Sequence, residues 1–214
     1  MRVTVLYIFL MFSCLGAYAQ KDVKAGEIMD KSSKAYAEAG SIFASFTLNI
    51  KDVKAKVTHS FDGKIQMKDN KFYFSTPETD CWFDGKTQWS YIKMNDEVNI
   101  TEPSKEESQM MNPSVVFDLY KKGCKYKYTG TKKDVKDRTV YEIELTPNKK
   151  NDMQKIVLQI NTADYMPVTI HVYYKGDIQN IVYINTYKTK QNLPDSNFVF
   201  DKKNFPEAEI IDLR

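Results

Sequence analysis

Stretch after stretch of this chain alternates apolar and polar residues with a period of two. Ile42, Ala44, Phe46, Leu48 and Ile50 are separated by Phe43, Ser45, Thr47 and Asn49, and this spacing predicts a strand with one strongly apolar face. Val57 to Met67 repeats the pattern with Phe61, Ile65 and Met67 on a single face. After a turn at Lys68-Asp69-Asn70-Lys71, Phe72-Tyr73-Phe74 starts a strand that Pro77 ends. Further strands are predicted at Glu97 to Thr101, Thr139 to Thr146, Gln154 to Asn161, Val168 to Tyr174 and Ile181 to Tyr187, with Tyr141, Ile143 and Leu145 sharing one face.

One hairpin stands out for its aromatic load. Trp82, Phe83, Trp89 and Tyr91 flank Asp84-Gly85, a dipeptide that readily takes the positive φ values of a two-residue type I′ turn. Those rings suit either the core of a β domain or the lining of an apolar binding surface. Two segments break the strand period. From Ala25 to Ala39, Ile28, Met29, Ala35, Tyr36 and Ala39 recur at helical spacing, and Gly40 is placed to end the helix. From Pro103 to Lys122 a charged stretch leads into Met110, Met111, Val115, Val116, Phe117, Leu119 and Tyr120, with Pro113 and Gly123 as start and stop signals. Paired methionines there make a soft, adaptable apolar surface. The residues alone thus describe an α+β, mainly β chain: a long antiparallel meander with an N-terminal helix and a helical insertion, in a sheet large enough to curl.

Residues 1–19 read as a cleaved signal peptide. Arg2 precedes an almost unbroken apolar run from Val3 to Leu15, and Ala17-Tyr18-Ala19 is a small-x-small cleavage site before Gln20. The run is too short to span a bilayer. Cys14 lies inside that run with no polar tether after it, which argues against a lipid-attachment role. Residues 20–214 are then expected to form one exported domain. Cys81 and Cys124 are left in it, either as a disulfide or as two buried thiols.

Composition excludes several functions. A net charge of +3 over 214 residues, mixed in sign, argues against nucleic-acid binding. Arginine occurs only at Arg2, Arg138 and Arg214, so bidentate anion clamps are not expected. His59 and His171 read as ordinary strand residues. No zinc-type spacing, Gly-rich phosphate loop or nucleophile elbow is present. The expectation is a non-enzyme with no cofactor and no metal.

The order of signal peptide, helix, meander, Phe83-Asp84-Gly85-Lys86-Thr87-Gln88-Trp89-Ser90-Tyr91, Asn112-Pro113 insertion and a tail running from Asn192 through Phe205-Pro206-Glu207 to Leu213 resembles the LolA family of periplasmic lipoprotein carriers. That resemblance implies an incomplete β-barrel with a helical lid around an apolar cavity for lipoprotein acyl chains. It implies a wall of Phe46, Leu48, Phe61, Ile65, Phe72, Phe74, Trp82, Trp89, Tyr91 and Ile143, and a lid of Met110, Met111, Val115, Val116 and Leu119. It further implies acylated lipoproteins as cargo, an inner-membrane lipoprotein-releasing ABC transporter as donor, an outer-membrane acceptor of the LolB kind, and a monomer working in the periplasm. Phe46 and Trp89 are both expected to be needed for acyl-chain binding. One departure concerns the lid. In the better-known members an arginine just before the segment matching Phe72 bonds the lid closed, whereas here the turn carries Lys68 and Lys71, which lack the planar fork and replace it only in part. A lipid or glycolipid carrier and an envelope-stress lipid sensor are the other functions that this fold would serve.

Overall fold

A computed structural model describes residues 22–104 and 115–214. The signal-peptide stretch, and Met110 and Met111 of the expected lid, lie outside the described residues.

Helix α1 (Val23–Glu38) forms where helical spacing predicts it. Asp22 caps it by accepting from the Ala25 amide at 2.9 Å, and its other carboxylate oxygen accepts from the Tyr128 amide at 2.8 Å. These backbone donors hold the Asp22 carboxyl below its usual range. Gly40, at φ +62°, takes the left-handed conformation that ends the helix.

Twelve strands follow in one sheet: β1 (Ile42–Asp52), β2 (Val57–Lys68), β3 (Lys71–Ser75), β4 (Thr79–Phe83), β5 (Gln88–Ile92), β6 (Glu97–Thr101), β7 (Cys124–Lys133), β8 (Thr139–Pro147), β9 (Met153–Asn161), β10 (Pro167–Tyr174), β11 (Ile178–Thr189) and β12 (Glu209–Asp212). The spatial order is β12-β6-β5-β4-β3-β2-β1-β11-β10-β9-β8-β7. The chain therefore meanders outward from β1 to β6, passes through a short helix α2 (Val115–Asp118) and a π-helical turn at Leu119–Gly123, and restarts at the far edge. It then meanders back until β11 pairs with β1. The sheet curls but does not close, since β12 and β7 are its edges. This is the expected α+β, mainly β architecture of an incomplete barrel.

Two local expectations are corrected. The aromatic hairpin has a four-residue loop, not a two-residue turn, because Phe83 pairs with Gln88. The Asp84 carboxylate accepts from the amides of Lys86 and Thr87 at 2.9 and 2.8 Å, so a local side-chain turn replaces the type I′ geometry. The sheet is also not antiparallel throughout. The tail reaches β6 after a long excursion, and β12 pairs with it in parallel.

Packing divides the concave face in two. Under α1, the inward residues of β8 and β9 (Ile143, Leu145, Leu158 and Ile160) are completely buried with Ile28 and Met29. Past the end of α1, the inward residues of β1, β2, β3, β10 and β11 lose that cover. On the convex side the C-terminal tail lies over β3 to β5. Phe198 is fully buried, and Phe200 and Phe205 meet the Trp82 ring edge-on at 5.5 and 5.7 Å.

Candidate functional site

The uncovered part of the concave face is an apolar cavity of about 440 Å³. Phe46 and Leu48 of β1, Phe61 and Ile65 of β2, and Phe74 of β3 form one wall. Ile170 and Val172 of β10 and Val182 and Ile184 of β11 continue that wall on the other side of β1, while Val115, Val116 and Leu119 of the helical segment close one side. These five strands can line one space because antiparallel pairing sets directly opposed residues on the same face: Phe61 opposes Leu48, Leu48 opposes Val182 and Val182 opposes Ile170.

Gly63 makes room for the Phe46 ring. A Cβ on Gly63 would come within 2.3 Å of the far end of the Phe46 ring, so the ring occupies the space that a side chain directly opposite it on β2 would need. No described lining residue is charged; the polar groups among them are Thr76, Tyr36, Tyr174 and Tyr187. The Tyr36 hydroxyl donates to the Met67 sulfur at 3.2 Å. Burial pushes the phenols of Tyr36 and Tyr187 above their ordinary range, so both stay neutral.

The expected wall residues thus separate into three groups. Phe46, Leu48, Phe61, Ile65, Phe74, Val115, Val116 and Leu119 come together around the cavity. Phe72 and Ile143 face inward but are sealed in the core: Phe72 packs against Phe83 with ring centroids 5.2 Å apart, and Ile143 lies under α1. Placing Trp82, Trp89 and Tyr91 in that wall is a correction of face. Phe72 and Phe74 point inward, so the intervening Tyr73 points outward, and Trp82 opposes Tyr73 while Trp89 opposes Trp82. Tyr91, two residues from Trp89, also points outward and packs on Phe205 at 4.7 Å.

Sequence reasoning missed the far wall, Ile170, Val172, Val182 and Ile184, and the Tyr36 and Tyr187 rings. Their signal was available in the alternation of the last two strands, but nothing local says that β11 pairs with β1. Lys68 and Lys71 bind Asp195 of the tail at 3.0 and 2.6 Å, and Lys68 also reaches the Leu193 carbonyl at 3.1 Å. The turn expected to take part in closing the lid here anchors the C-terminal tail.

Cys81 and Cys124 are both free and buried, in separate core clusters. Burial pushes the Cys81 thiol up to about 11 and raises that of Cys124. His59 is exposed on the concave side of β2, and His171 is half-buried on the convex side of β10, where it meets Gln179 at 3.0 Å. Among the described residues no group of three His, Cys, Asp or Glu side chains is placed to hold a metal ion, and no helix is long and apolar enough to cross a membrane.

A curled, unclosed sheet around a cavity whose described lining is apolar and uncharged suits the binding of apolar groups. The family model for outer membrane lipoprotein carrier protein LolA matches residues 15–176, and the chain belongs to that family. An uncharacterized protein from Methanocaldococcus jannaschii is 25% identical over 199 residues, covering 92% of this chain and 57% of the relative, so the chain spans little more than half of that protein's length. The fold is similar to the crystal structure of an uncharacterized conserved protein from Thermus thermophilus, with TM-score 0.59, 12% identity, and coverage of 88% of this chain and 99% of that one. It is also similar to LprF from Mycobacterium bovis, with TM-score 0.52, 10% identity, and coverage of 81% and 97%.

Proposed function

We propose that this protein shields the acyl chains of lipoproteins in its concave cavity and carries them across the periplasm from the inner to the outer membrane. One observation carries the proposal: the described lining of the cavity is predominantly apolar and holds no charged side chain. Family membership supports the lipoprotein as cargo. At roughly 0.8 kcal/mol per methylene, a chain of about 16 carbons costs on the order of 12 kcal/mol to expose to water, which is why a lipoprotein needs a carrier.

The volume bounds the load. An apolar cavity of about 150 Å³ takes benzene, or roughly 25 Å³ per carbon, so about 440 Å³ accommodates a single long chain. The other chains of a lipoprotein would lie along the mouth between β2 and β10. Val115, Val116 and Leu119 serve as the lid side of the cavity, and Phe46, seated on Gly63, is the ring against which the chain packs. The carrier itself needs no covalent step. An ABC transporter on the inner membrane as donor and an outer-membrane acceptor complete the route.

Purified protein added to spheroplasts of a Gram-negative host tests this. Release of outer-membrane lipoproteins in a one-to-one complex is the expected result. If no lipoprotein is released and mass spectrometry finds a single-chain lipid in the protein, a lipid carrier replaces the proposal, a reading that the one-chain volume favours.

A further inference from the structure

The convex side of the sheet holds a second cavity, separate from the acyl cavity and opposite to it in character. We infer that it is a binding site for a neutral sugar of about disaccharide size. Its floor consists of two cross-strand rows: Glu142, Gln159, Thr169 and Tyr183 lie side by side on β8, β9, β10 and β11, and Glu144, Val157, His171 and Ile181 lie beside them. All eight line a cavity of about 510 Å³.

Its roof is the tip of the β7–β8 hairpin, folded across the sheet. Lys136 donates to the Asn185 side chain at 2.7 Å, and Arg138 reaches the Ile184 carbonyl at 3.4 Å, both on β11. The tip is stiffened from within by Asp134, which accepts from the amides of Lys136 and Arg138 at 2.9 and 2.8 Å and from the Arg138 guanidinium at 2.7 Å. A site roofed in this way is formed before a ligand arrives, which lowers the ordering cost of binding.

The wall chemistry selects the ligand class. Lys132 pairs with Glu142, Lys155 pairs with Glu144 at 3.0 Å, and Lys133 pairs with the Asp137 carboxylate at 3.7 Å while donating to the Asp137 carbonyl at 2.8 Å. Each cation is matched, so the pocket offers no surplus charge to a phosphate or a carboxylate. A purely apolar ligand is disfavoured by the Gln159 amide, by the two ion pairs and by the buried Thr169 hydroxyl, which has no hydrogen-bond partner. Hydroxyl groups suit these walls, because each donates to a carboxylate and accepts from an ammonium or amide. The carbon faces of a sugar ring meet Val157, Ile181 and the Tyr183 ring. At roughly 25 Å³ per non-hydrogen atom the volume holds about 20 atoms, close to two sugar rings.

The test is an NMR titration of the whole protein with lactose and with N,N′-diacetylchitobiose, both neutral, alongside inorganic phosphate and triglycine. The expected result is saturable shifts at Gln159, Thr169, His171 and Tyr183 with one of the disaccharides, at a dissociation constant of about 1 mM or tighter. Tyr183→Ala and Glu142→Gln are each expected to weaken binding about tenfold, while binding of a fluorescent fatty acid in the concave cavity is unchanged. Thr169→Val keeps the volume and removes only the hydroxyl, so a severalfold loss is expected there even if Tyr183→Ala fails to fold. Absence of shifts with both disaccharides, shifts away from these residues, or stronger shifts with phosphate or triglycine would each overturn the inference.

Discussion

The two halves of the concave face obey the same alternation and end in opposite states. Beneath α1, Ile143, Leu145, Leu158 and Ile160 have no exposure at all. Beyond the end of that helix, Phe46, Leu48, Phe61, Phe74, Val172 and Val182 carry equally apolar side chains on the same face and are only half-buried. Pattern decides which face is apolar, and cover decides whether that face becomes core or binding wall. A domain that needed only stability would have covered both halves. Among the described residues this contiguous apolar surface is left without such cover, the kind of surface that marks a binding site.

The comparison breaks most visibly through stability. Leu158→Ala, in the covered half, is expected to cost about 2–5 kcal/mol in urea unfolding, the range for a fully buried leucine. Leu48→Ala, in the open half, is expected to cost well under half as much. Equal losses would mean that the open wall is closed core in solution.

The next largest effect falls on binding. Phe46→Glu places a charge where a chain would lie and is expected to lower the affinity for a fluorescent fatty acid at least tenfold, because desolvating an unpaired carboxylate is costly. Circular dichroism should show the β-rich fold intact. Trp89→Ala sharpens the same comparison from the convex side. Although its aromatic hairpin gives it the look of a wall residue, it points away from the cavity, and fatty-acid affinity is expected to stay within about twofold. A loss as large as that of Phe46→Glu would return Trp89 to the binding surface.

The smallest effect is electrostatic. Burial, opposed by the bond to Gln179, holds the His171 imidazole below its ordinary range. A histidine whose folded pKa is lowered binds fewer protons folded than unfolded below about pH 6.5, so its contribution to stability is present above that pH and is lost as pH falls through the folded value. Urea midpoints should therefore drop on mild acidification, and His171→Gln should remove part of that drop. An identical acid profile in the variant would assign the drop elsewhere.

The legible and illegible parts of this chain have separable causes. Strand positions were readable because Phe61, Ile65 and Met67, or Tyr141, Ile143 and Leu145, advertise a face by period alone. The inward identity of Phe46, Leu48, Phe61, Ile65 and Phe74 follows from the same signal. The aromatic hairpin defeated it, since Phe83 on one face and Trp82 on the other are both large and apolar, each face having its own cover. For Ile143 and Phe72 the face was right and the cover was not readable, because whether α1 or nothing lies above a strand is a tertiary fact. The far wall depends on β11 returning to β1, a pairing between residues about 140 positions apart. The convex cavity left no sequence signal, because its roof is a hairpin tip whose anchors, Lys136 and Arg138, look like ordinary turn residues.

The most direct test of the acyl-cavity proposal is where a chain lies when bound. A nitroxide-labelled stearate would be added to isotopically labelled protein and paramagnetic broadening mapped residue by residue. Broadening centred on Phe46, Leu48, Ile65 and Val182, with the Trp82 and Trp89 indole N–H signals sharp, is the expected result. Broadening of those indoles with the concave methyl groups untouched would contradict it and place the apolar ligand on the other face of the sheet.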